Sequence, residues 1–358
     1  MAKKLVVEIV SGLGLGGAEK ALTSRLRNQP TDFETIVINL RPSQDLLKLD
    51  PNTVLIPLKT NFTSFLPKLH TFLRKTQPQI VIVRTPLDAI RFSFLKAVSL
   101  KSDWKLVFEA HSNFTSSRPY LKAVFRISLR LLRSKIDKII AVSKNVQVGP
   151  LCESSAQSTV IYLGADMPSP KPEFKMSYEV RLLYVGRLVP VKRPIHLLMA
   201  ISKIKNKRVL PNQFLTVVGD GDLKDEIEMF IFENDLESVV SFEGYQENVS
   251  KFMNESTHLI SVSTNEGMPI SFFEAKLSGM RIISTPSGGG YEIFDSNDRV
   301  LPSFELDDLV LYLESIIDDE ISGVSRMEIS NNSSWMNVDI CASRYYSALE
   351  EILDTEIN

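Results

Sequence analysis

Cysteine is scarce in this sequence, and the scarcity excludes two kinds of site. Only two cysteines occur in 358 residues, Cys152 and Cys341, and they stand far apart with no closely spaced partner. Disulfide frameworks and structural zinc sites both need more cysteines at closer spacing. The sequence therefore predicts neither of them, and a reducing compartment fits this composition.

Long apolar runs are equally scarce. A transmembrane helix needs about 20 consecutive apolar residues, and no run in the sequence approaches that length. The apolar segment at residues 5–10 is interrupted by Glu8 and is too short for the core of a signal peptide. We therefore expect a cytoplasmic protein.

The residues that are present form two series of short strands and amphipathic helices. At 44% apolar and 23% charged residues, the chain suits two domains of ordinary size. Alternation of this kind predicts parallel βαβ units. The first series has strands at 5–10, 35–40, 80–83, 105–109 and 138–142, with helices at 18–27, 65–75, 88–100 and 118–133. The second has strands at 181–185, 213–218, 239–242, 259–262 and 281–284.

A proline-rich segment separates the two series. Residues 166–172 hold three prolines within five positions, which neither a helix nor a central strand tolerates. We therefore predict an N-terminal domain at 1–167 and a C-terminal domain at 168–337. The expected fold is α/β, with two tandem Rossmann-like doubly wound domains. Ligands of such sheets bind at the carboxyl ends of the strands, so a central cleft between the domains is the expected site.

Charge is divided between the two halves of the chain. Residues 1–165 carry 24 basic against 11 acidic residues, while the remainder has a net charge of −15. Attraction between the domains is one explanation, and an anionic partner of the N-terminal half is another. The spacing of four basic residues in the predicted helix 118–133 favours anionic lipid over nucleic acid. These expected membrane contacts are Lys122, Arg126, Arg130 and Arg133.

A glycine-rich loop follows the first predicted strand. Gly12, Gly14 and Gly17 form a GxGxxG pattern, a weak indicator of dinucleotide binding. The second strand ends without the acidic residue that NAD requires, although Arg41 would suit the 2′-phosphate of NADP. Under either interpretation, the loop at Gly16 and Gly17 exposes backbone N–H groups at a helix N-terminus to a ligand.

Two further motifs lie in the C-terminal domain. At the exit of its first strand, Gly186 permits a tight turn and Arg187, Lys192 and Arg193 collect positive charge, which predicts an anion site. The second motif spans residues 264–275 and holds two carboxylates, which can accept hydrogen bonds from sugar diols. Backbone N–H groups at the start of the following helix are expected to point at a phosphate.

Taken in order, these motifs resemble family 4 of the retaining glycosyltransferases, which have the GT-B fold. The resemblance covers nearly the whole chain. It includes the glycine loop with residues 18–20, the segments 186–192, 218–223, 242–245 and 287–292, the pair Glu266 and Glu274, and Ser334 with Trp335. It implies a C-terminal helix, at about 338–358, that packs back on the first domain.

The resemblance also implies roles for individual residues. Arg187 and Lys192 would neutralise the diphosphate of a nucleotide sugar, for which UDP is the family's commonest nucleotide. Glu274 would hold the ribose and Glu266 the donor sugar. His111, at the end of a predicted strand, matches the family's acceptor-side histidine. The other residues expected to line the donor are Gly16, Gly17, Gly219, Tyr245, Gly267, Met268, Pro269 and Ile270.

The predicted reaction moves a sugar to a glycan or lipid-linked acceptor in cell-surface polysaccharide synthesis. Peripheral attachment to the inner face of the cell membrane is expected, with no cofactor beyond the nucleotide sugar. Asp220 and Asp222 spell a DxD metal motif, but two cations already balance the diphosphate, so no metal is expected. We expect retention by same-face attack, with Glu109 as an alternative nucleophile. A GT-B sugar epimerase, an NADP-dependent oxidoreductase and an inactive GT-B scaffold remain as other functions.

Overall fold

The computed structural model divides the chain into two compact units. The first comprises Met1–Gly164 and Val338–Asn358, and the second Ala165–Asn337. The structure describes residues 3–10, 16–40, 54–57, 62–99, 103–111, 127–128, 130–131, 133–149, 157–166, 180–321 and 335–354. The division after Gly164 lies three residues before the predicted boundary, and the second division falls between 337 and 338. Most of the predicted proline-rich linker lies outside the described residues.

The first unit is built on a seven-stranded parallel sheet. Its strands are β1 (Lys4–Val10), β2 (Phe33–Asn39), β3 (Val54–Pro57), β4 (Ile80–Val83), β5 (Lys105–Ala110), β6 (Lys138–Ala141) and β7 (Ser158–Val160). Their order across the sheet is β3-β2-β1-β4-β5-β6-β7. The central strand β4 reads Ile-Val-Ile-Val and is buried on both faces, as expected for a parallel sheet covered by helices.

The helices of this part of the chain include α1 (Gly17–Arg27), α2 (Phe62–Thr76), α3 (Pro86–Val98) and the short α4 (Lys144–Gln147). The start of α3 shows why a helix begins there. Thr85 accepts a hydrogen bond from the backbone N–H of Asp88 at 3.1 Å, and Pro86 occupies the first turn. A capping hydroxyl followed by proline is a strong helix start.

The second unit is built on a six-stranded parallel sheet of order β10-β9-β8-β11-β12-β13. Its strands are β8 (Leu182–Val185), β9 (Leu215–Val218), β10 (Val240–Gly244), β11 (His258–Ser261), β12 (Arg281–Ser284) and β13 (Arg299–Val300). Its helices are α5 (Pro194–Lys205), α6 (Lys224–Glu233), α7 (Ser250–Glu255), α8 (Ile270–Leu277) and α9 (Leu306–Ile321). The core is almost entirely aliphatic with a few aromatic rings.

The final helix, α10 (Val338–Asp354), packs on the first unit. Its apolar face joins the core beside β1, β4 and β5, and the ring of Tyr346 lies 5.0 Å from that of Phe33, centroid to centroid. An amphipathic helix buries its apolar face against whichever surface offers a matching one. The end of the chain therefore completes the fold of its beginning.

The ten predicted strands are confirmed, with ends that differ by up to two residues. Strands β3, β7 and β13 were not predicted. The helix predicted at 118–133 is corrected at its end: residues 127–128 and 130–131 are helical, but Arg133 begins a separate 3-10 turn, Arg133–Lys135. Within the described residues, no helix combines the length and the apolar character that crossing a bilayer demands.

Candidate functional site

The second unit has its topological switch point between β8 and β11. These neighbouring strands continue along the chain in opposite directions across the sheet, which opens a crevice at their carboxyl ends where α/β proteins bind ligands. The loop after β8 carries Arg187 and Lys192, and the loop after β11 carries Glu266. Two motifs that the sequence places 70 to 80 residues apart therefore meet at one edge of the sheet.

Backbone hydrogen bonds tie the loops at this edge together. Leu188 N donates to Asp220 O at 2.9 Å and Thr264 N to Val191 O at 2.9 Å. Glu266 N donates to Ser287 O at 2.7 Å. These bonds join the loops that follow β8, β9, β11 and β12. A ligand at this edge would therefore meet a connected surface whose parts hold one another in place.

Two glycines allow the loops to approach so closely. A Cβ atom built on Gly219 would lie 1.9 Å from Gly186 O, and one on Gly288 would lie 2.1 Å from Glu266 O. Both glycines have positive φ angles, +157° and +140°, which disfavour any residue with a side chain. Gly219 therefore allows the loop after β9 to pack against the backbone of Gly186, and Gly288 allows the loop after β12 to pack against the backbone of Glu266.

Lys192 and Glu266 form an ion pair within this edge. The exposed fractions of their side chains are 21% and 11%, so both are largely shielded from water. Tyr184 lies beside the pair, and burial, followed by the charge of Glu266, raises its pKa well above the ordinary value. A small cavity opens here, lined by Tyr184, Val185, Lys192, Leu259, Ile260, Ser261, Ser263, Glu266, Pro269 and Ser271.

The other residues predicted to line the donor fall around the same edge. Arg187 is exposed, and Tyr245 is 42% exposed just after β10. Pro269 caps α8. Met268 and Ile270 are each 6% exposed, so little of either residue can meet a ligand. Glu274, the fifth residue of α8, is half-buried, and Gly267 is buried.

The DxD sequence has a local structural role. Asp220 Oδ1 accepts a hydrogen bond from the backbone N–H of Gly221 at 2.9 Å, and Gly221 approaches Leu188 too closely to carry a side chain. In the part of the chain that the structure describes, no group of three or more His, Cys, Asp or Glu side chains is arranged to hold a metal ion.

The switch point of the first unit, between β1 and β4, holds a buried charge cluster that the sequence analysis missed. We define the buried charge cluster as Glu8, Arg25, Arg84 and Glu109. Arg25 donates to both oxygens of Glu8 at 3.0 and 2.9 Å, and Arg84 also pairs with Glu8. Two carboxylates balance two guanidinium groups, which is what burial of charge requires.

Glu109 connects this cluster to His111 and to the final helix. His111 Nε2 lies 2.6 Å from Glu109 Oε1, and the hydroxyl of Tyr345 in α10 donates to Glu109 Oε2 at 2.5 Å. Burial alone would raise the pKa of Glu109, but Arg84, His111 and Arg25 outweigh it and hold that pKa well below its usual range. The one signal in the sequence was Glu8, a carboxylate inside an apolar strand.

The glycine loop is described only from Gly16 onward. Gly16 caps α1 and Gly17 is its first residue; Gly17 is exposed. A Cβ on Gly16 would lie 2.4 Å from Glu19 Oε2, so the carboxylate of Glu19 already lies at this helix N-terminus. That carboxylate disfavours a phosphate at the same place, because it occupies the positive end of the helix dipole. Arg41 lies outside the described residues.

Of the four predicted membrane contacts, Lys122 and Arg126 lie outside the described residues. Arg130 is exposed, whereas Arg133 is half-buried with one guanidinium nitrogen shielded from water. Two apolar side chains of the same segment, Ile127 and Leu131, are 60% and 75% exposed. The described part of this segment therefore presents apolar side chains together with a basic one.

Comparison with known proteins agrees with this architecture. Residues 170–334 match the family model described as glycosyl transferases group 1. The chain is 25% identical over 345 residues, or 91% of each chain, to the GalNAc-alpha-(1->4)-GalNAc-alpha-(1->3)-diNAcBac-PP-undecaprenol alpha-1,4-N-acetyl-D-galactosaminyltransferase of Campylobacter jejuni. The predicted resemblance to glycosyltransferases is confirmed.

Two solved structures share the fold. Sucrose-phosphate synthase from Thermosynechococcus elongatus superposes with a TM-score of 0.77 at 14% identity, covering 99% of this chain and 100% of the other. HepE of Anabaena, solved in complex with UDP and glucose, superposes with a TM-score of 0.69 at 17% identity, covering 99% of each chain. The predicted GT-B fold of two tandem α/β units is thereby confirmed.

Proposed function

We propose that the chain transfers a sugar from a UDP-sugar to a lipid-linked glycan, because residues 170–334 match the family model described as glycosyl transferases group 1. The Campylobacter relative is named for an undecaprenol-linked acceptor, and HepE was solved with UDP. The product would enter cell-surface polysaccharide or glycoconjugate synthesis. The observation that carries the proposal is the Lys192–Glu266 pair at the switch point of the second unit.

The donor roles divide by charge. Arg187 and Lys192 bind the diphosphate, while Glu266 accepts hydrogen bonds from the hydroxyls of the transferred sugar. Glu274 binds the ribose and the backbone at Tyr245 receives the base. Lys192 and Glu266 form an ion pair, so donor binding would replace part of their mutual attraction with contacts to phosphate and sugar.

We propose that the sugar is transferred with retention, by attack on the face from which the nucleotide leaves. The bond from the anomeric carbon to the phosphate oxygen breaks, and the acceptor oxygen bonds to that carbon. The acceptor proton passes to the departing phosphate, whose growing charge Arg187 and Lys192 stabilise. Glu109, the alternative nucleophile, is hydrogen-bonded to Tyr345 and His111 and lies beside two arginines. Because its oxygens are already occupied by these contacts, we favour the same-face route.

The same two cations lead us to propose that catalysis needs no divalent metal. A diphosphate leaving group needs positive charge near its oxygens, whether from a metal or from side chains. Asp220, the first residue of the DxD sequence, is bonded within its own loop. Activity in excess EDTA should therefore equal activity with added Mg²⁺ or Mn²⁺, and restoration by metal after EDTA treatment would contradict the proposal.

We further propose that the first unit binds the anionic inner face of the cell membrane, where lipid-linked acceptors are found. Exposed Arg130 supplies charge, and Ile127 and Leu131 supply exposed apolar surface. Basic and apolar side chains on one helical segment are typical of interfacial binding. Such attachment would leave the enzyme peripheral to the membrane.

A calorimetric titration with UDP, GDP and NADPH tests the nucleotide assignment. UDP should bind and NADPH should not, and Lys192→Ala should weaken UDP binding by roughly tenfold or more, because a shielded charged contact to phosphate is lost. Slow release of UDP from a UDP-sugar, measured without acceptor, should accompany binding. Preference for NADPH would support the oxidoreductase, and donor binding without any turnover would support the inactive scaffold.

A further inference from the structure

His111 has one ring nitrogen engaged by the interior of the first unit. Nε2 lies 2.6 Å from Glu109 Oε1. The side chain of His111 is 18% exposed, against 3% for Glu109, so the imidazole lies between the buried charge cluster and solvent. Among the described residues, none forms a hydrogen bond with its other nitrogen, Nδ1. One ring nitrogen therefore contacts the buried charge cluster, and the other has no partner among the described residues.

The environment of Glu109 decides which nitrogen carries the proton. Its Oε2 accepts from Tyr345 at 2.5 Å and lies 3.4 Å from Arg84 Nη2 and 3.7 Å from Arg25 Nη2. With these donors around it, Glu109 is a carboxylate, in keeping with its lowered pKa. A carboxylate can only accept hydrogen bonds. The His111 nitrogen beside it, Nε2, must therefore be the donor.

We propose that Glu109 is a positioning residue that fixes His111 in the Nε2–H tautomer and so presents Nδ1 as a hydrogen-bond acceptor for a hydroxyl group of the sugar substrate. The tautomer follows from the contacts of Glu109 alone, and the identity of the ligand rests on the proposed function. Arg25, Arg84 and Tyr345 act one step further away, because they hold the carboxylate in place. This arrangement gives the buried charge cluster and the final helix a function in catalysis.

Glu109→Gln tests the tautomer because an amide cannot satisfy both sides of the site in the same way. The Oε2 side holds three donors, whereas Oε1 has Arg84 Nε at 3.4 Å beside His111, so we expect the amide oxygen on the Oε2 side and the NH₂ facing His111. His111 would then have to accept at Nε2 and carry its proton on Nδ1. A residue with only a structural role would leave the tautomer unchanged.

Nitrogen NMR of protein labelled at its four histidines measures this directly, at about pH 8.5, where ordinary histidines are neutral. His111→Gln identifies the signal. We expect Nε2–H in wild type and Nδ1–H in Glu109→Gln. Tyr346→Phe is the matched control, since that hydroxyl on the same helix bonds Gln29 and not Glu109; it should keep the wild-type tautomer.

Two results would overturn the inference: Nδ1–H in the wild-type protein, or an unchanged tautomer in folded Glu109→Gln. The wild-type spectrum decides by itself if Glu109→Gln does not fold, which circular dichroism would reveal. The spectra need no substrate, so they stand even if the protein transfers no sugar. Failure of the proposed function would instead appear as a wild-type protein that neither binds UDP nor releases it from a UDP-sugar.

The substrate contact is tested by two replacements of His111. The amide of Asn overlies the Nδ1 position of a histidine ring, whereas the amide of Gln overlies Nε2. If Nδ1 binds the substrate hydroxyl, His111→Asn should retain roughly tenfold more kcat/KM than His111→Gln, the difference made by one hydrogen bond. Equal losses in the two variants, or a better Gln variant, would contradict a contact through Nδ1.

Discussion

Arg187 and Lys192 carry the positive charge of the proposed donor site, but their surroundings differ. Arg187 is exposed, whereas Lys192 is shielded and paired with Glu266. We expect Arg187→Ala and Lys192→Ala each to lower kcat/KM by about 10² or more, because each removes a positive charge that stabilises the departing phosphate. Lys207→Ala is the matched control. That lysine is exposed and pairs with Glu314, and steady-state kinetics should show no change.

The midpoints of thermal unfolding should distinguish Lys192→Ala from Arg187→Ala. Lys192→Ala leaves Glu266 largely buried without its counter-ion, and an uncompensated buried charge destabilises a fold. Arg187→Ala removes an exposed side chain and should leave the midpoint unchanged. Wild-type turnover in either variant would remove that residue from the phosphate site, whatever its stability.

Variants of Glu266 and Glu274 should differ in their effect on UDP binding. If Glu274 binds the ribose, Glu274→Gln weakens binding of free UDP as well as of the donor. Glu266→Gln should lower turnover while free UDP binds nearly as well as before, since the proposed role of Glu266 is to bind the sugar and not the nucleotide. Isothermal calorimetry with UDP alone makes the distinction. Equal UDP affinity in both variants and the wild type would refute the role of Glu274.

At the scale of elements, the loops of the second unit depend on glycines that admit close backbone approach. Gly219→Ala should cost more stability than a positive φ alone explains, because its Cβ would lie 1.9 Å from Gly186 O. Gly244→Ala is the matched control: its φ is +63° and nothing lies within 4 Å of its Cβ. That control should cost about 1 kcal/mol, the ordinary penalty for a left-handed residue.

Denaturant unfolding of both variants measures the difference. We expect the loss of unfolding free energy in Gly219→Ala to exceed that in Gly244→Ala by about 2 kcal/mol, since backbone must move to relieve the overlap. The Gly219 variant should also lose transferase activity, because the loop after β9 packs against the loop that carries Arg187 and Lys192. Equal stability losses would show that the loops yield easily and do not form a preorganised site.

The elements themselves were largely predictable because their signals are local. An apolar run such as residues 80–83, or a capped helix start such as the one at Thr85, is contained within a few consecutive residues. β13 has only two residues, too few for a pattern. The buried charge cluster was missed for a different reason: Glu8 contacts Arg84 from 76 positions away, and only the parallel register of β1 and β4 brings them together. The sequence showed Glu8 merely as an interruption of a strand.

At the scale of the whole molecule, the chain passes from the first unit to the second and ends on the first. Ala165 N donates to Met336 O at 2.9 Å, so the entry to the second unit is tied to its exit. α10 then supplies Tyr345 to Glu109. The proline cluster marked the division between units, but no local pattern reveals that a helix some 230 residues later completes the surroundings of His111.

The division of charge, +13 in residues 1–165 against −15 in the remainder, supports a prediction for the whole protein. Vesicles that contain phosphatidylglycerol should carry the protein upward in a flotation gradient at low salt. Each basic residue near an anionic surface contributes about 1 kcal/mol, and the exposed Ile127 and Leu131 add apolar contact. At about 0.5 M salt, where the Debye length is roughly 4 to 5 Å, flotation should fall sharply.

Replacing Lys122, Arg126, Arg130 and Arg133 by Gln should abolish flotation and spare slow hydrolysis of the donor. The matched control replaces four basic residues of the acidic unit, Lys203, Lys205, Lys207 and Arg208, and changes net charge by the same amount. If attraction depends on a local surface, the control floats like wild type; if it depends on net charge, both variants fail together. Because Arg133 is half-buried, Arg130→Gln alone should weaken flotation more than Arg133→Gln. If the wild-type protein does not float with anionic vesicles at any salt concentration, an acceptor free in solution is favoured over one bound to a membrane.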